Sequence, residues 1–138
     1  MNKLLFVFMI LIVCTGTVLA ESKIPIEIVK ITDGDTIQAK LEKNKFAIRL
    51  IGVDCYETSK IHRAYTQAYI NHLSVEEVVN RGNRSKLYLE KLYRENKNFF
   101  LDFKGVDKYG RVLGIIYFDK LNINEELLKN GGCMIYNY

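Results

Sequence analysis

The chain has 138 residues, of which 49% are hydrophobic and 26% are charged, and its formal net charge is +4. This length is enough for one domain with a buried core and too short for two. The mildly basic balance excludes a strongly polycationic protein. It is compatible with an anionic substrate held by a few arginines, and equally with an ordinary soluble domain.

The first twenty residues differ in composition from the rest of the chain. They contain one early Lys3, an uncharged run from Leu4 onward and a small-residue ending at Ala20. This pattern is typical of a secretory signal peptide, so we expect cleavage after Ala20 and a mature domain over residues 21–138. An uncleaved membrane anchor is the alternative, because an uncharged run of roughly 17 residues reaches the lower limit for a spanning helix. We expect a secreted or periplasmic monomer with no membrane span after cleavage.

Three β-strands are predicted next, arranged as a meander. Apolar and polar residues alternate over 26–31 and 36–41, and a third strand covers 46–53 with Arg49 among apolar neighbours. The sequence DGD separates the first two strands, and the sequence EKNK separates the second from the third. These turn residues between β-rich segments predict two consecutive hairpins.

The middle of the chain changes to helical periodicity. Residues 61–73 place apolar and aromatic side chains three and four positions apart, so we expect the two tyrosines of this stretch to be packing residues. The following sequence SVEE is a capping box that starts another helix. We expect Gly82 and Asn83 to interrupt that helix. A further helix is predicted over 84–95, where a leucine and tyrosine stripe recurs at the same spacing.

Two more strands and a short helix complete the predicted elements. Strands 98–103 and 111–118 flank the turn sequence GVDKYG, Asn122 opens a helix, and Gly131 is expected to close it with a left-handed cap. The predicted fold class is mainly β with added helices (α+β). We predict a five-stranded OB-fold Greek-key barrel, with helices inserted after strand 3 and following strand 5.

Two aspartates are the first candidates for chemistry. Asp-Gly is a strong turn signal, so the sequence DGD taken alone indicates only a hairpin. Asp35 starts the second strand and Asp54 ends the third, so an antiparallel pairing puts both at the same end of the sheet. Two carboxylates there favour a hard cation such as calcium, which takes oxygen ligands. Glu57 follows on a loop, where a carboxylate can position or deprotonate a water.

Arg49 and Arg111 supply charge of the opposite sign. A guanidinium makes two parallel hydrogen bonds to a phosphate and stays charged while the attacked phosphorus gathers negative charge. The acidic and basic groups together predict metal-assisted hydrolysis of a phosphodiester. Taken singly, Arg49 could form a barrel-rim ion pair, and Arg111 could be a charge that protects a sheet edge.

The order of four motifs resembles a known family. DGDT, RLIGVDCYE, DKYGRVLG and NEELLKNGG are similar to the staphylococcal nuclease (thermonuclease) family over residues 28–138, with 59–81 poorly matched. The resemblance implies a secreted, calcium-dependent nuclease on an OB-fold barrel. It also implies DNA and RNA as substrates, little sequence preference and 3′-phosphate products.

The resemblance further implies roles for individual residues. Asp35 and Asp54 would bind calcium directly, and Asp33 would act through a bound water. The backbone carbonyl of Cys55 would be a third ligand. Glu57 would activate or orient the attacking water. The attacked phosphate would be bound by Arg49 and Arg111. The neighbouring phosphate and nucleotide would be contacted by Lys108, Tyr109 and Tyr136.

Three departures from the family pattern carry expectations of their own. Cys55 and Tyr56 stand where the family usually has Thr-Pro, so we expect a less stiff loop before Glu57. Residues 59–81 look like an extra helical piece near the substrate side. The sequence reaches Tyr138, where typical members continue into a further helix, and we expect this difference to affect stability more than catalysis.

Cys55 and Cys133 leave open whether a disulfide forms. The two thiols could pair in an oxidising compartment and tie the site loop to the C-terminal segment. We favour the unpaired form, because a sequence does not supply the Cα separation that a disulfide requires.

The alternative function is a catalytically inactive nucleic-acid-binding OB-fold protein of the envelope. Such a protein needs the arginines, but it has no use for Asp35, Asp54 and Glu57 together. A structural envelope protein explains neither the acids nor the arginines. We therefore predict an enzyme, a calcium-dependent phosphodiesterase that acts on DNA and RNA.

Overall fold

The computed structural model describes residues 22–137, so the predicted signal peptide and its cleavage site lie outside the described part. Within that part, no helix is both long and apolar enough to cross a membrane. In chain order the strands are β1 Ile24–Pro25, β2 Glu27–Ile31, β3 Thr36–Leu41, β4 Asn44–Leu50, β5 Val53–Asp54, β6 Phe99–Val106, β7 Val112–Phe118, β8 Leu121–Asn122 and β9 Met134–Ile135. The helices are α1 His62–Ile70, α2 Val75–Glu95 and α3 Ile123–Lys129.

The longer strands close into a barrel. β2, β3 and β4 pair antiparallel in order, β4 pairs parallel with β7, and β7 pairs antiparallel with β6. β6 pairs with β1, which only Ile26 separates from β2, and the Ile26 N–H donates to the Phe99 carbonyl at 3.0 Å. This closed circuit of five long strands is the OB-type barrel. The predicted α+β fold class is confirmed, with α1 and α2 after the third long strand and α3 after the fifth.

One apolar core fills the barrel and extends under two helices. Strands β3, β4 and β7 and helices α2 and α3 supply fully buried side chains: Ile37, Ile48, Leu50, Ile116, Phe118, Leu89, Ile123 and Leu127. Burial of an aliphatic or aromatic side chain of this size contributes about 1.5–3 kcal/mol. The core therefore holds β3 beside β4, and with them the polar residues at the ends of these strands.

Helix α2 is continuous through the predicted break. It begins at the predicted capping box, where the Ser74 side chain accepts the Glu77 N–H at 3.1 Å, and its buried residues recur every three or four positions. The interruption expected at Gly82 and Asn83 is wrong, because α2 spans 21 residues. A Cβ at Gly82 would lie 2.5 Å from the Tyr56 carbonyl oxygen, so the glycine permits close packing instead of ending the helix.

Two other boundaries differ from the prediction. The third predicted strand, 46–53, is divided, because β4 ends at Leu50 and a turn containing Gly52 leads into β5. β5 leaves the barrel and pairs with β9. The left-handed glycine after α3 is Gly132, with a φ of +73°, and not Gly131.

Cys55 and Cys133 form a disulfide with a Cα separation of 4.3 Å. β5 and β9 pair with Asp54 opposite Met134, so the two cysteines occupy the next opposing positions. The unpaired form that we favoured from the sequence is therefore wrong. The bridge fixes the residue after Asp54 to the C-terminal segment.

Candidate active site

Asp35 lies where the DGD turn meets β3, and both of its carboxylate oxygens have partners. Its own N–H donates to Asp33 Oδ1 at 3.1 Å, which holds the turn. Its Oδ2 accepts the Cys55 N–H at 2.6 Å, and its Oδ1 lies 3.0 Å from Nη1 of Arg49. The sequence DGD therefore forms a turn and also presents a buried carboxylate.

Arg49 is a buried guanidinium that joins two acids. β3 and β4 pair with Thr36 opposite Arg49, which brings the arginine beside the end of the DGD turn. Its Nη1 is 3.0 Å from Asp35 Oδ1, and its Nη2 is 3.3 Å from Asp54 Oδ1. Nη1 also donates to the Leu50 carbonyl at 3.2 Å. The structure thus brings Asp35 and Asp54 together, as the strand ends predicted.

Glu57 lies on the loop after β5 and contacts a cation that the sequence did not single out. The Oε1 atom of Glu57 is 3.4 Å from Nε of Arg63, and an Nη2 atom of the same guanidinium forms a short ion pair with Asp54. Arg63 is the second residue of α1, inside the segment that the family resemblance matches poorly. A basic residue at the start of a helix directly after an acidic loop is the signal that could have identified it.

Negative charge is crowded at this end of the barrel. We call the carboxylates of Asp33, Asp35, Asp54 and Glu57 the acidic cluster. Burial raises the pKa of Asp35 to about 7, although the nearby guanidinium lowers it, and the two neighbouring aspartates raise it further. Burial also raises the pKa of Glu57, against the opposing effect of the guanidinium on α1. The four carboxylates outnumber the two guanidiniums, Arg49 and Arg63, so the cluster favours an additional cation.

The donor atoms at the cluster fit a hard divalent cation. Carboxylate and carbonyl oxygens are the ligands that such ions take in proteins. Within residues 22–137, no three His, Cys, Asp or Glu side chains lie in an arrangement that could hold a metal ion. Backbone oxygens or waters would therefore have to complete the coordination. The Cys55 carbonyl, one such candidate, accepts a hydrogen bond from Nε2 of Gln67 at 3.1 Å and has a second lone pair.

Gln67 holds the loop that carries Glu57. Its buried side chain donates to the Cys55 carbonyl, and its Oε1 accepts the Glu57 N–H at 2.9 Å. The same loop is fixed by the Cys55–Cys133 disulfide and by the hydrogen bond from the Cys55 N–H to Asp35. These contacts connect the loop to the DGD turn, to α1 and to the residue before β9, while the expectation of a less stiff loop stays a prediction.

A cavity of about 500 Å³ adjoins the acidic cluster. Its lining includes every side chain predicted to contact a substrate, together with the newly found arginine: Arg49, Arg111, Lys108, Tyr109, Tyr136 and Arg63. Arg111 also pairs with Asp107, 2.8 Å away across the turn between β6 and β7. Tyr109 is 72% exposed, and its ring centre lies 5.6 Å from the Arg111 guanidinium. The predicted substrate groups are therefore brought together on one face.

The chain is similar in sequence to several known proteins. A family model described as staphylococcal nuclease homologue matches residues 47–138. An uncharacterized endonuclease of Haemophilus influenzae is 33% identical over 137 residues, which cover 99% of this chain and 63% of that protein. The uncharacterized protein MJ1439 of Methanocaldococcus jannaschii is 32% identical over 121 residues, or 80% of this chain and 58% of that protein. Endonuclease YncB of Bacillus subtilis is 36% identical over 101 residues, or 72% of this chain and 42% of that protein.

The chain spans less than two thirds of the length of each of these relatives. The region that the family model matches includes Arg49, Asp54, Glu57 and Arg111, while Asp35 precedes it. The match covers more than half of the chain, and the barrel is the fold that the four motifs predicted. The chain therefore belongs to the staphylococcal nuclease homologue family.

Proposed function

We propose that this protein is a calcium-dependent nuclease that hydrolyses phosphodiester bonds of DNA and RNA. The proposal includes little sequence preference, 3′-phosphate products and a secreted or periplasmic location. Family membership and the relatives named as endonucleases support nuclease activity. The family resemblance of the motifs supports calcium as the metal.

The observation that carries the proposal is the position of Arg49. Its guanidinium contacts Asp35 at 3.0 Å and Asp54 at 3.3 Å, and it also lines the cavity with Arg111. A phosphate in this cavity would lie between the acidic cluster and two guanidiniums. That combination suits metal-assisted attack of water on a phosphodiester.

Each group has a role that follows from its place. Asp35 and Asp54 would hold calcium, which supplies positive charge beside the phosphate when it is bound. Glu57 would orient the attacking water and accept its proton, while the bond from phosphorus to the 5′-oxygen breaks and that oxygen takes a proton from solvent. Arg49 and Arg111 would bind the non-bridging phosphate oxygens and neutralise the charge that develops there.

The exposed aromatic group explains the low sequence preference that we propose. Tyr109 presents its ring at the cavity, and any base can stack on a tyrosine because every base has a π face. Lys108 and Tyr136 line the same cavity, where they would contact the neighbouring phosphate and nucleotide.

Two features support the proposed location. The first twenty residues have the composition of a secretory signal. The Cys55–Cys133 disulfide is typical of proteins outside the reducing cytosol.

The test incubates the purified protein with single-stranded DNA, duplex DNA and RNA, first with calcium and then with a chelator in excess. We expect cleavage only with calcium, and mass spectrometry of the products is expected to show 3′-phosphate ends. Glu57→Gln is expected to lower the cleavage rate by roughly 100-fold or more while oligonucleotide binding persists. Glu90→Gln is a matched control, because Glu90 lies on α2 outside the acidic cluster and the cavity.

The outcomes separate the enzyme from its alternative. Binding of oligonucleotides without cleavage, in calcium or any other divalent cation, would support the inactive nucleic-acid-binding protein instead. Cleavage that survives the chelator would remove the metal from the proposal. An equal loss of activity in Glu57→Gln and Glu90→Gln would remove the specific role of Glu57.

A further inference from the structure

Arg63 contacts the acidic cluster from a helix in the segment that the motif resemblance matches poorly. Its guanidinium forms ion pairs with Asp54 and with Glu57, to which we assign metal binding and water activation. The same side chain lines the cavity that holds Arg49 and Arg111. Arg63 therefore touches both the acidic and the phosphate-binding halves of the site.

The two guanidiniums at the cluster are held very differently. The Arg49 side chain is 5% exposed, and it donates to the Leu50 carbonyl as well as to its acidic partners. The Arg63 side chain is 45% exposed. Its partners Asp54 and Glu57 are only 15% and 17% exposed, so these carboxylates need a counter-charge. Water can solvate the Arg63 guanidinium when it leaves, because that side chain is partly exposed. Arg63 can therefore leave its carboxylates when another cation replaces its charge, whereas Arg49 is fixed.

A divalent cation at Asp54 would change the partners available to Arg63. The Oδ1 atom of Asp54 faces Arg49 and Arg63 at once. A cation bound to this carboxylate would take electron density from the oxygen and repel the more exposed guanidinium. A phosphate in the cavity would then offer Arg63 another acceptor, because the side chain already lines that cavity.

We propose that Arg63 is a third phosphate-binding guanidinium of this site and an exchangeable partner of the acidic cluster. It neutralises Asp54 and Glu57 when no cation is bound, and it binds a nucleic-acid phosphate when calcium occupies Asp54. The inference rests on the proposed nuclease function. Loss of Arg63 should therefore have two opposite effects. Calcium should bind more tightly because a competing cation is removed, and nucleic acid should bind more weakly because a partner of the phosphate is removed.

The first measurement is calcium binding without nucleic acid. Isothermal titration calorimetry compares the wild-type protein with Arg63→Gln and with Arg84→Gln. Arg84 is a matched control, because it is an exposed arginine on α2 that pairs with Glu77 away from the cluster. We expect Arg63→Gln to bind calcium roughly fivefold more tightly than wild type, the change expected when a partly exposed competing charge is removed. Arg84→Gln is expected to match the wild-type affinity.

The second measurement is binding of a labelled single-stranded oligonucleotide with phosphorothioate linkages, followed by fluorescence anisotropy in saturating calcium. We expect Arg63→Gln to bind it roughly fivefold more weakly and Arg84→Gln to bind it as the wild type does. Arg63→Lys keeps the charge but lacks the planar fork of a guanidinium, so its affinity is expected between the two. Circular dichroism melting curves establish that each variant is folded, and Arg63→Lys carries the test if Arg63→Gln is not.

The outcomes distinguish this inference from the function on which it rests. If the wild type binds calcium and cleaves DNA, unchanged or weaker calcium binding in Arg63→Gln would overturn the exchange alone. Tighter calcium binding with unchanged oligonucleotide affinity in Arg63→Gln would overturn the phosphate role. Wild-type oligonucleotide affinity in Arg63→Lys would overturn the part of the guanidinium fork, because the charge alone would then be enough. If the wild type neither binds calcium nor cleaves nucleic acid, the proposed function fails and this inference fails with it.

Discussion

Replacing Gln67 by methionine tests how the loop that carries Glu57 is held. The substitution keeps the volume of the side chain and removes two hydrogen bonds, to the Cys55 carbonyl at 3.1 Å and from the Glu57 N–H at 2.9 Å. Each backbone group left without a partner costs roughly 1–3 kcal/mol, with the lower value for the half-buried Glu57. We therefore expect Gln67→Met to lose about 2–4 kcal/mol of unfolding free energy, a large share of the ~5–15 kcal/mol of a typical domain.

Urea denaturation measures this loss, and steady-state cleavage of single-stranded DNA measures its effect on the site. We expect kcat to fall by roughly 10–100-fold, because small displacements of a catalytic group are costly. Gln38→Met is the matched control, since Gln38 is a half-buried glutamine of β3 outside the site. A loss of less than about 0.5 kcal/mol in Gln67→Met, or an equal loss in both variants, would refute the role of Gln67.

Three further predictions concern stability and packing. Cys133→Ser is expected to lose about 2–5 kcal/mol of unfolding free energy, because the disulfide to Cys55 closes a separation of 78 residues, and dithiothreitol should destabilise only the wild type. Hydrogen bonds from the Asn98 side chain and from the backbone lower the folded-state pKa of Asp119, so the wild type should exceed Asp119→Asn in stability at neutral pH. Urea titrations should show this difference disappear as the pH falls through that lowered pKa, and a difference that persists at low pH would contradict the reasoning. Gly82→Ala is expected to cost about 1–3 kcal/mol despite the better helix propensity of alanine, and a stabilised variant would contradict the packing argument.

The barrel and half of the site were predictable because their signals are local. Alternation along β3 and β4 follows from the two-residue period of a strand, and it places Asp35 and Asp54 at one end of the sheet. The register with Thr36 opposite Arg49 then brings the arginine to both acids. Each step depends on residues that are near in sequence or paired across one hairpin.

The sequence predicted that α1 is a helix, but it did not predict which face of the helix is buried. Its apolar stripe predicted that Tyr65 and Tyr69 would pack inward, yet Tyr69 is 85% exposed and Gln67 is buried. Hydropathy ranks a tyrosine above a glutamine, but Gln67 satisfies two backbone groups of the site loop that no aromatic side chain could satisfy. Two hydrogen bonds decide the orientation, and they join Gln67 to residues ten and twelve positions away. The periodicity of the helix does not reveal contacts of this kind.

Two glycines beside the site also have roles that the local sequence does not reveal. Gly82 inside a helix and Gly34 inside a turn both have ordinary local interpretations, as a helix break and as a hairpin signal. In the fold, a Cβ at Gly34 would lie 2.8 Å from the Cβ of Cys55, and a Cβ at Gly82 would clash with the Tyr56 carbonyl. Both positions therefore need the absence of a side chain, because the DGD turn and α2 pack directly on the loop between Asp54 and Glu57. Since α1, α2, the turn and the disulfide all meet that one loop, the segments inserted into the barrel determine where the candidate catalytic carboxylate stands.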